Sequence, residues 1–452
     1  MSNPGAAMID AVWSPYTADE RAPWNLRRVV HLHRRAGFAG TWSEMQRDLK
    51  EGPVASVDRL LAGQASLVSP PDFASIADLL ADSAVAAGEI NRLKAWWFYR
   101  MMFGTDALGE KLTLLWHDHF ATANSKVANP ALMRRQNDTL RKFARGKFGH
   151  LLRAGIREPA LLLYLDAQAN RRSHPNENLA REAMELFTLG VGHYSEADVK
   201  EAARALTGWS VEEGQFANVA ARRDIGNKCI LGQRGELDGT ALVIILLEQP
   251  ATSERLALKL CRLFFGESIV PPAAMHALAA GLREHDLDIA WATELVLKSQ
   301  LFFSNANLGS RVIGPVEFVV GAVRALEMFD PSPSTLALAD WSARIGQDLF
   351  NPPNVGGWPF GRAWVHTRSM ITRANFITAL ISGPDVGRAS PYDAAFLPHK
   401  YGFGTNSDAL LTFHHRLLFG TDPSADIRRR TSGMDERRTI GTLLSSPQAQ
   451  LG

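Results

Sequence analysis

Apolar side chains recur every three to four residues along most of the chain, and this spacing admits one main fold class. A 3.6-residue period lines such residues on one side of a helix, whereas a strand needs a period of two. The period predicts helices over Val54–Leu61, Phe73–Val85, Ile90–Met102, Glu110–Phe120, Ala131–Ala144, Pro159–Leu165, Pro175–Leu189 and Glu196–Leu206. It resumes over Asp238–Leu247, Ser253–Phe265, Pro272–Arg283, Ile289–Ser299, Pro315–Met328 and Ser334–Gln347, with a last helical stretch from Thr367. Only 208–235 departs, alternating weakly among glycines, which predicts a loop or short β-hairpin excursion. The expected fold is mainly α: a large multi-helical protein with strand confined to that excursion. The expected organisation is an N-terminal helical lobe (1–206), an insertion (207–235) and a C-terminal helical lobe (236–452), integrated as one domain.

A chain of 452 residues, 46% hydrophobic and 21% charged, is too apolar for a disordered protein and long enough to bury a large core. Its longest strongly apolar run, Ala241–Leu247, is far short of the ~20 residues a membrane helix needs. The first residues lack a basic segment followed by an apolar one, so no export leader is expected and a cytoplasmic location is the default. Cys229 and Cys261 form no C-x-x-C pair and are expected to be reduced structural residues.

The formal charge of +2 selects no partner. Local excesses are sharper. Arg134–Arg157 carries eight Lys/Arg and one acid, Asp138, and Arg21–Arg35 carries five Arg with His31 and His33. The first expectation for both is a solvated helix face. The second is a site for an acidic polymer, above all at 134–157.

Chemistry concentrates in Ser173–Gly190, SHPNENLAREAMELFTLG. Pro175 suits a first helical position, which makes His174 the N-cap and Gly190 the stop. At 100° per residue, Leu179, Ala180, Ala183, Met184, Leu186 and Phe187 share an apolar face, and Glu177, Asn178, Arg181, Glu182 and Glu185 share the other. Arg181 lies at i,i+4 from both Glu177 and Glu185. An amphipathic helix with a salt-bridged surface explains this much. The composition points further: three carboxylates, the amides of Asn176 and Asn178, one arginine, and a histidine at the positive helix end can hold a metal, move protons or bind a polar ligand.

A second cluster is Trp116-His117-Asp118-His119-Phe120. On an unbroken helix the two histidines point about 200° apart and cannot share an ion. A break near Asp118 would bring them to one side. His119 also continues the line of Leu112, Leu115 and Trp116, which fits a buried, satisfied histidine. The rigid turn Asn351–Pro359 (NPPNVGGWP) either packs or lines a pocket. G-x-S-x-G, P-loop, H-E-x-x-H and Rossmann glycine patterns are missing from the sequence.

WHDHFAT at 116, HPNENLAREAMELFTLGVGHYSEADVKEAARALTGW at 174 and NPPNVGGWPFGRAWV at 351 together resemble the bacterial domain-of-unknown-function 1800 family. VVHLHRRAGF at 29, KCILG at 228 and IGPVEFVVGAVRAL at 313 fit the same pattern, so the resemblance spans essentially the whole chain. It implies a large helical bacterial protein and no particular reaction. It also implies a candidate partner, a protein encoded nearby that is similar to sulfatases and alkaline phosphatases. Relatives carry a His-Asp pair shortly before the lysine of the KCILG-like string. Here the pair is Arg223-Asp224, which leaves Asp224 as a possible site residue.

The leading expectation is a polar pocket lined by His117, His119, His174, Asn176, Glu177, Asn178, Arg181, Glu182 and Glu185. His174, the three glutamates, Arg181, Asn176 and Asn178 would be catalytic, or His117, His119, His174 and Glu182 would hold a divalent metal. Hydrolase or hydroxylase-like chemistry would fit. The alternative is a non-catalytic helical scaffold that binds a partner protein or an acidic polymer. The resemblance places Arg181 in the family's most distinctive block, which implies that its polar face is buried and that Arg181→Ala costs about 3–5 kcal/mol.

Overall fold

The computed structural model of the protein describes residues 12–452. The reading of the amino terminus as lacking a leader rests mainly on residues outside that range. The protein is mainly α, with 60% of the described residues helical. Strand among the described residues is confined to the segment where the alternation predicts it. There β1 (Trp209–Glu212) pairs antiparallel with β2 (Gln215–Asn218), and β3 (Lys228–Ile230) with β4 (Gln233–Gly235). Both hairpins turn on two residues with positive φ, Glu213-Gly214 and Leu231-Gly232, as tight two-residue turns require. No helix among the described residues is long and apolar enough to cross a membrane.

Helices α1 (Leu26–Ala36) and α2 (Trp42–Glu51) precede the first that the apolar period predicts. The arginines and histidines of 21–35 mask the period in α1, and the expected solvated face is not what forms. Arg28 and Arg35 are 2% and 0% exposed. Arg28 donates to the Phe303 carbonyl (3.0 Å) and Arg35 to those of Phe264 (2.9 Å) and Asn307 (3.2 Å). His31 Nε2 donates to the Phe302 carbonyl (3.0 Å), and His33 Nε2 contacts Asp48 of α2 (2.8 Å). Long cationic side chains are tolerated inside because carbonyls and a carboxylate accept their protons.

The stretch 134–157 keeps a solvated face, with Lys142, Lys147 and Arg153 exposed, and several of its cations are paired or stacked there. Arg134 pairs with Asp82, Arg145 with Asp106, Lys147 with Asp286 (2.9 Å), and Arg157 lies over the Trp209 and Phe216 rings. Arg141 of α5 (Pro130–Phe143) reaches Glu110 of α4 (Ala107–His119) at 2.8 and 3.0 Å; Glu110 also accepts from Trp97 (2.8 Å) and Arg100 (2.9 Å) of α3 (Ile90–Phe103). Burial pushes the Glu110 carboxyl up, but the Arg141 and Arg100 guanidiniums outweigh it and hold it at about 2. A carboxylate depressed in the folded state stabilises above its ordinary value, near 4.5, and that stabilisation is lost as pH falls through about 2. Glu110→Gln is therefore expected to flatten the dependence of melting temperature on pH between those limits.

Two large apolar clusters carry the fold, and each draws on residues from early and late in the chain. One holds Phe120, Phe148, Phe187, Trp209 and Phe264; the other holds Trp96, Trp97, Phe318, Phe350 and Phe376. Helix α4 lies where they meet. Its Leu112 and Trp116 pack into the first cluster and its Leu114 into the second. The remaining face of α4 carries Lys111, Leu115 and Asp118, with Leu115 packed against the edge of the first cluster.

Candidate active-site cleft where the two cores meet

The HPNEN segment folds differently from its expectation. Helix α6 begins at Asn178, with Glu177 as its boundary residue, rather than at Pro175 with His174 as cap. Local side chains capture the backbone first: Asn170 Oδ1 accepts the Asn176 N–H and Asn176 Oδ1 accepts the Asn178 N–H, both at 2.9 Å. Such Asx-type bonds compete with helix initiation. From Ala183 to Thr188 the segment winds as a π-helix, a form often found at functional positions.

Its polar face is half-exposed and largely satisfied. His174 and Asn178 face solvent. Arg181 bonds Glu177 (3.0 Å) and both carboxylate oxygens of Glu196 (2.8 Å each) on α7 (Glu196–Ala205), not Glu185. Glu185 accepts the Tyr194 hydroxyl at 2.5 Å. Glu182 has no hydrogen-bond partner among the described residues, and burial, with Glu185 nearby, raises its carboxyl pKa. The expected burial of Arg181 is corrected accordingly. Its side chain is 33% exposed and Glu196 is 68% exposed, so Arg181→Ala is expected to cost under about 1 kcal/mol in a thermal melt.

Helix α4 does not break at Asp118. It runs through both histidines, and they diverge. His117 Nε2 accepts the Phe350 N–H (3.1 Å), with Trp97, Phe350 and Trp358 around its ring; burial pushes its pKa down to about 3. His119 Nε2 donates to the Phe187 carbonyl (3.1 Å) among Trp116, Phe120 and Phe148. It reaches the HPNEN helix at its last turn, on the apolar side. His117, His119, His174 and Glu182 are not brought together, and no group of three or more His, Cys, Asp or Glu among the described residues is placed to hold a metal ion.

The residue between the histidines points into a cleft. Asp118, Leu115 and Lys111 form one wall. Arg255, Leu258, Lys259 and Arg262 of α8 (Pro250–Phe264) form the opposite one. The 351–364 turn covers both with Trp358, Phe360 and Trp364, and Arg311, Gly314 and Glu317 at the start of α9 (Pro315–Ala325) close the base. The cavity is about 240 Å³. The Pro/Gly/Trp turn thus lines a pocket, one of its two expected roles. It is pinned by Asp118 Oδ1, which accepts the Trp358 N–H at 2.8 Å. Gly357 makes this approach possible: its φ is +87°, and a Cβ there would collide with Asp118.

Charge in the cleft is uneven. Glu317 is matched by Arg311 and Lys111 and accepts the Gly314 N–H at 2.7 Å. Arg255, Lys259 and Arg262 lie at i, i+4 and i+7, one face of α8, and none has a carboxylate in salt-bridge contact among the described residues. Arg255 Nε donates to the Leu186 carbonyl (2.9 Å), so the π-helical end of the HPNEN segment fixes its position. Burial pushes the Lys259 ammonium down to about 8, opposed by Asp118 and aided by Arg255 and Arg262. Burial raises the Asp118 carboxyl pKa, opposed by Lys259 and the Trp358 N–H.

Strings far apart in sequence therefore converge here: WHDH supplies Asp118, IGPVE supplies Gly314 and Glu317, GGWPFGRAW supplies the cover, and the HPNEN helix holds Arg255. A family model described as "Protein of unknown function (DUF1800)" matches residues 31–451. The chain belongs to the DUF1800 family. No curated protein and no solved structure matches it.

In this DUF1800 protein, Arg223 and Asp224 do not line the cleft. Asp224 accepts from Arg204 (2.8 Å) and from the Gly226 N–H (2.9 Å), a clamp between α7 and β3, while Arg223 faces Asp238 (3.6 Å). Cys261, buried on α8, has its thiol pushed up to about 12 by burial, and Cys229 is half-buried in β3; neither is in a disulfide. Arg255, Lys259 and Arg262 escape a motif reading. Their one signal is a helical spacing of cations without acids at i±4 to match them.

Proposed function

We propose that the cleft binds a small anionic ligand and performs acid–base chemistry on it, with Lys259 as base and Asp118 as acid. The observation that carries this reading is the row Arg255, Lys259, Arg262, unmatched by carboxylates and facing an aromatic-covered cavity. Guanidinium forks suit carboxylate or phosphate oxygens. Trp358, Phe360 and Trp364 restrict water and lower the local dielectric, which strengthens such contacts. An acid whose pKa is raised and an amine whose pKa is lowered in one cleft have a narrower gap between them, which favours proton transfer. This retains an enzyme-like function with a polar pocket and moves its centre from the HPNEN face to the α4–α8 cleft.

Titration calorimetry at low salt with inorganic phosphate and with citrate tests it. At least one anion is expected to bind, and added chloride should weaken it. Arg262→Ala should raise Kd about tenfold, the value of one charge-assisted contact of about 1.4 kcal/mol. Arg181→Ala, which alters only the exposed HPNEN face, should leave Kd unchanged. Binding of neither anion, or equal loss in both variants, would refute the assignment.

A further inference from the structure

Lys259, half-buried in the cleft, stands apart from the buried lysines. Lys111, on the facing wall, is committed to Glu317 and to the Gly37 carbonyl (2.6 Å). Lys228 donates to the Asp224 and Gly226 carbonyls (2.8 Å each), and Lys94 pairs with Asp348 (2.5 Å). Lys259 has no hydrogen bond or ion pair among the described residues, although three buried lysines elsewhere are satisfied. Its neighbours Arg255 and Arg262 lie about one helical turn to either side, about 6 Å and about 4.5 Å along the axis. An anionic group seated on either guanidinium brings a carbon a few bonds away within reach of Nζ.

From this geometry we infer that Lys259 forms an imine with a carbonyl compound whose carbonyl lies close to its anionic group. The inference rests on the anion-cleft reading and names the ligand class within it. The Nζ lone pair adds to the carbonyl carbon while the C=O π pair moves to oxygen, which takes a proton from Asp118. The nitrogen returns a proton to the carboxylate. The hydroxyl then leaves as water with that proton as the C=N bond forms. The protonated imine then returns its N–H proton to the Asp118 carboxylate, so one amine and one carbonyl give one imine and one water, with Asp118 restored and no oxidant or reductant. A lysine held near 8 supplies the neutral amine this step consumes, and the exclusion of water by the aromatic cover protects the imine from hydrolysis.

Borohydride trapping with pyridoxal 5′-phosphate and, separately, with pyruvate reads this directly, with the adduct mapped by mass spectrometry on the full chain. One dominant adduct per chain at Lys259 is expected. It should grow faster as pH rises through about 8, be suppressed by inorganic phosphate, and vanish in Lys259→Arg, which keeps the charge and should melt like the wild type. Arg262→Ala should slow trapping about tenfold while leaving Lys259 in place. Adducts spread over surface lysines, or equal labelling of Lys259→Arg, would overturn the inference. If phosphate binds in the calorimeter and Lys259 is not trapped, imine formation alone is rejected. If phosphate also fails to bind, both readings fall.

Discussion

Glu317→Ala is expected to cost about 3–5 kcal/mol of folding free energy. Glu317 is 7% exposed and accepts from Arg311 and Lys111, whose side chains are 5% and 1% exposed. Removing the carboxylate leaves two cations inside the protein with no counter-charge. Burial pushes the Glu317 carboxyl up, yet Arg311 and Lys111 hold it well below the usual carboxylate range. The sign follows: a depressed carboxylate stabilises above its ordinary value near 4.5 and loses that effect only as pH falls far lower. Glu317→Gln keeps the shape but not the charge and should fall between the wild type and Glu317→Ala. Urea denaturation at neutral pH measures the differences. A change below about 1 kcal/mol for Glu317→Ala would mean that water, not the carboxylate, satisfies Lys111 and Arg311.

Gly357→Ala should be nearly as damaging to the fold and more damaging to the cleft. Alanine at a φ of +87° is strained by about 1–3 kcal/mol. Its Cβ would also collide with Asp118 Oδ1 and lie 2.8 Å from the Asp118 carbonyl, which α4 holds in place. The 351–364 turn must lift, and Trp358 with it. A displacement of about 1 Å in positioning groups can cost a hundredfold, so anion affinity should fall by about that factor. Gly356→Ala is the control. That Cβ meets only the Asn354 side chain, at 3.0 Å, and the residue has no positive φ. Phosphate titration of both variants, with melts alongside, separates the outcomes. Wild-type affinity in Gly357→Ala would remove the turn from the site.

Why the helices are legible and the cleft is not follows from what a period can encode. Spacing of apolar residues reports which side of a helix turns inward, so Phe73–Ala87 or Pro272–Glu284 can be read within a few residues. It fails for α1, where Arg28 and Arg35 occupy inward positions because distant carbonyls at Phe303 and Phe264 await them. It fails at Pro175, where Asn170 and Asn176 divert the backbone before the helix starts. The density of carboxylates at Glu177–Glu185 draws attention to a face that Glu196 and Tyr194 largely satisfy. The cations of α8 look like an ordinary solvated face, because the aromatic residues that cover them lie about a hundred positions later.

That separation along the chain has a consequence in time. The ribosome adds about 5–20 residues per second, so Trp364 is synthesised roughly 5–20 s after Lys259. Until then α8 has no aromatic cover and Asp118 has no Trp358 amide to receive. The amine is then in water and mostly protonated, which slows its reaction with carbonyl compounds. Any reactivity of this protein would therefore arise in the last part of synthesis, when a nearly complete chain closes on itself.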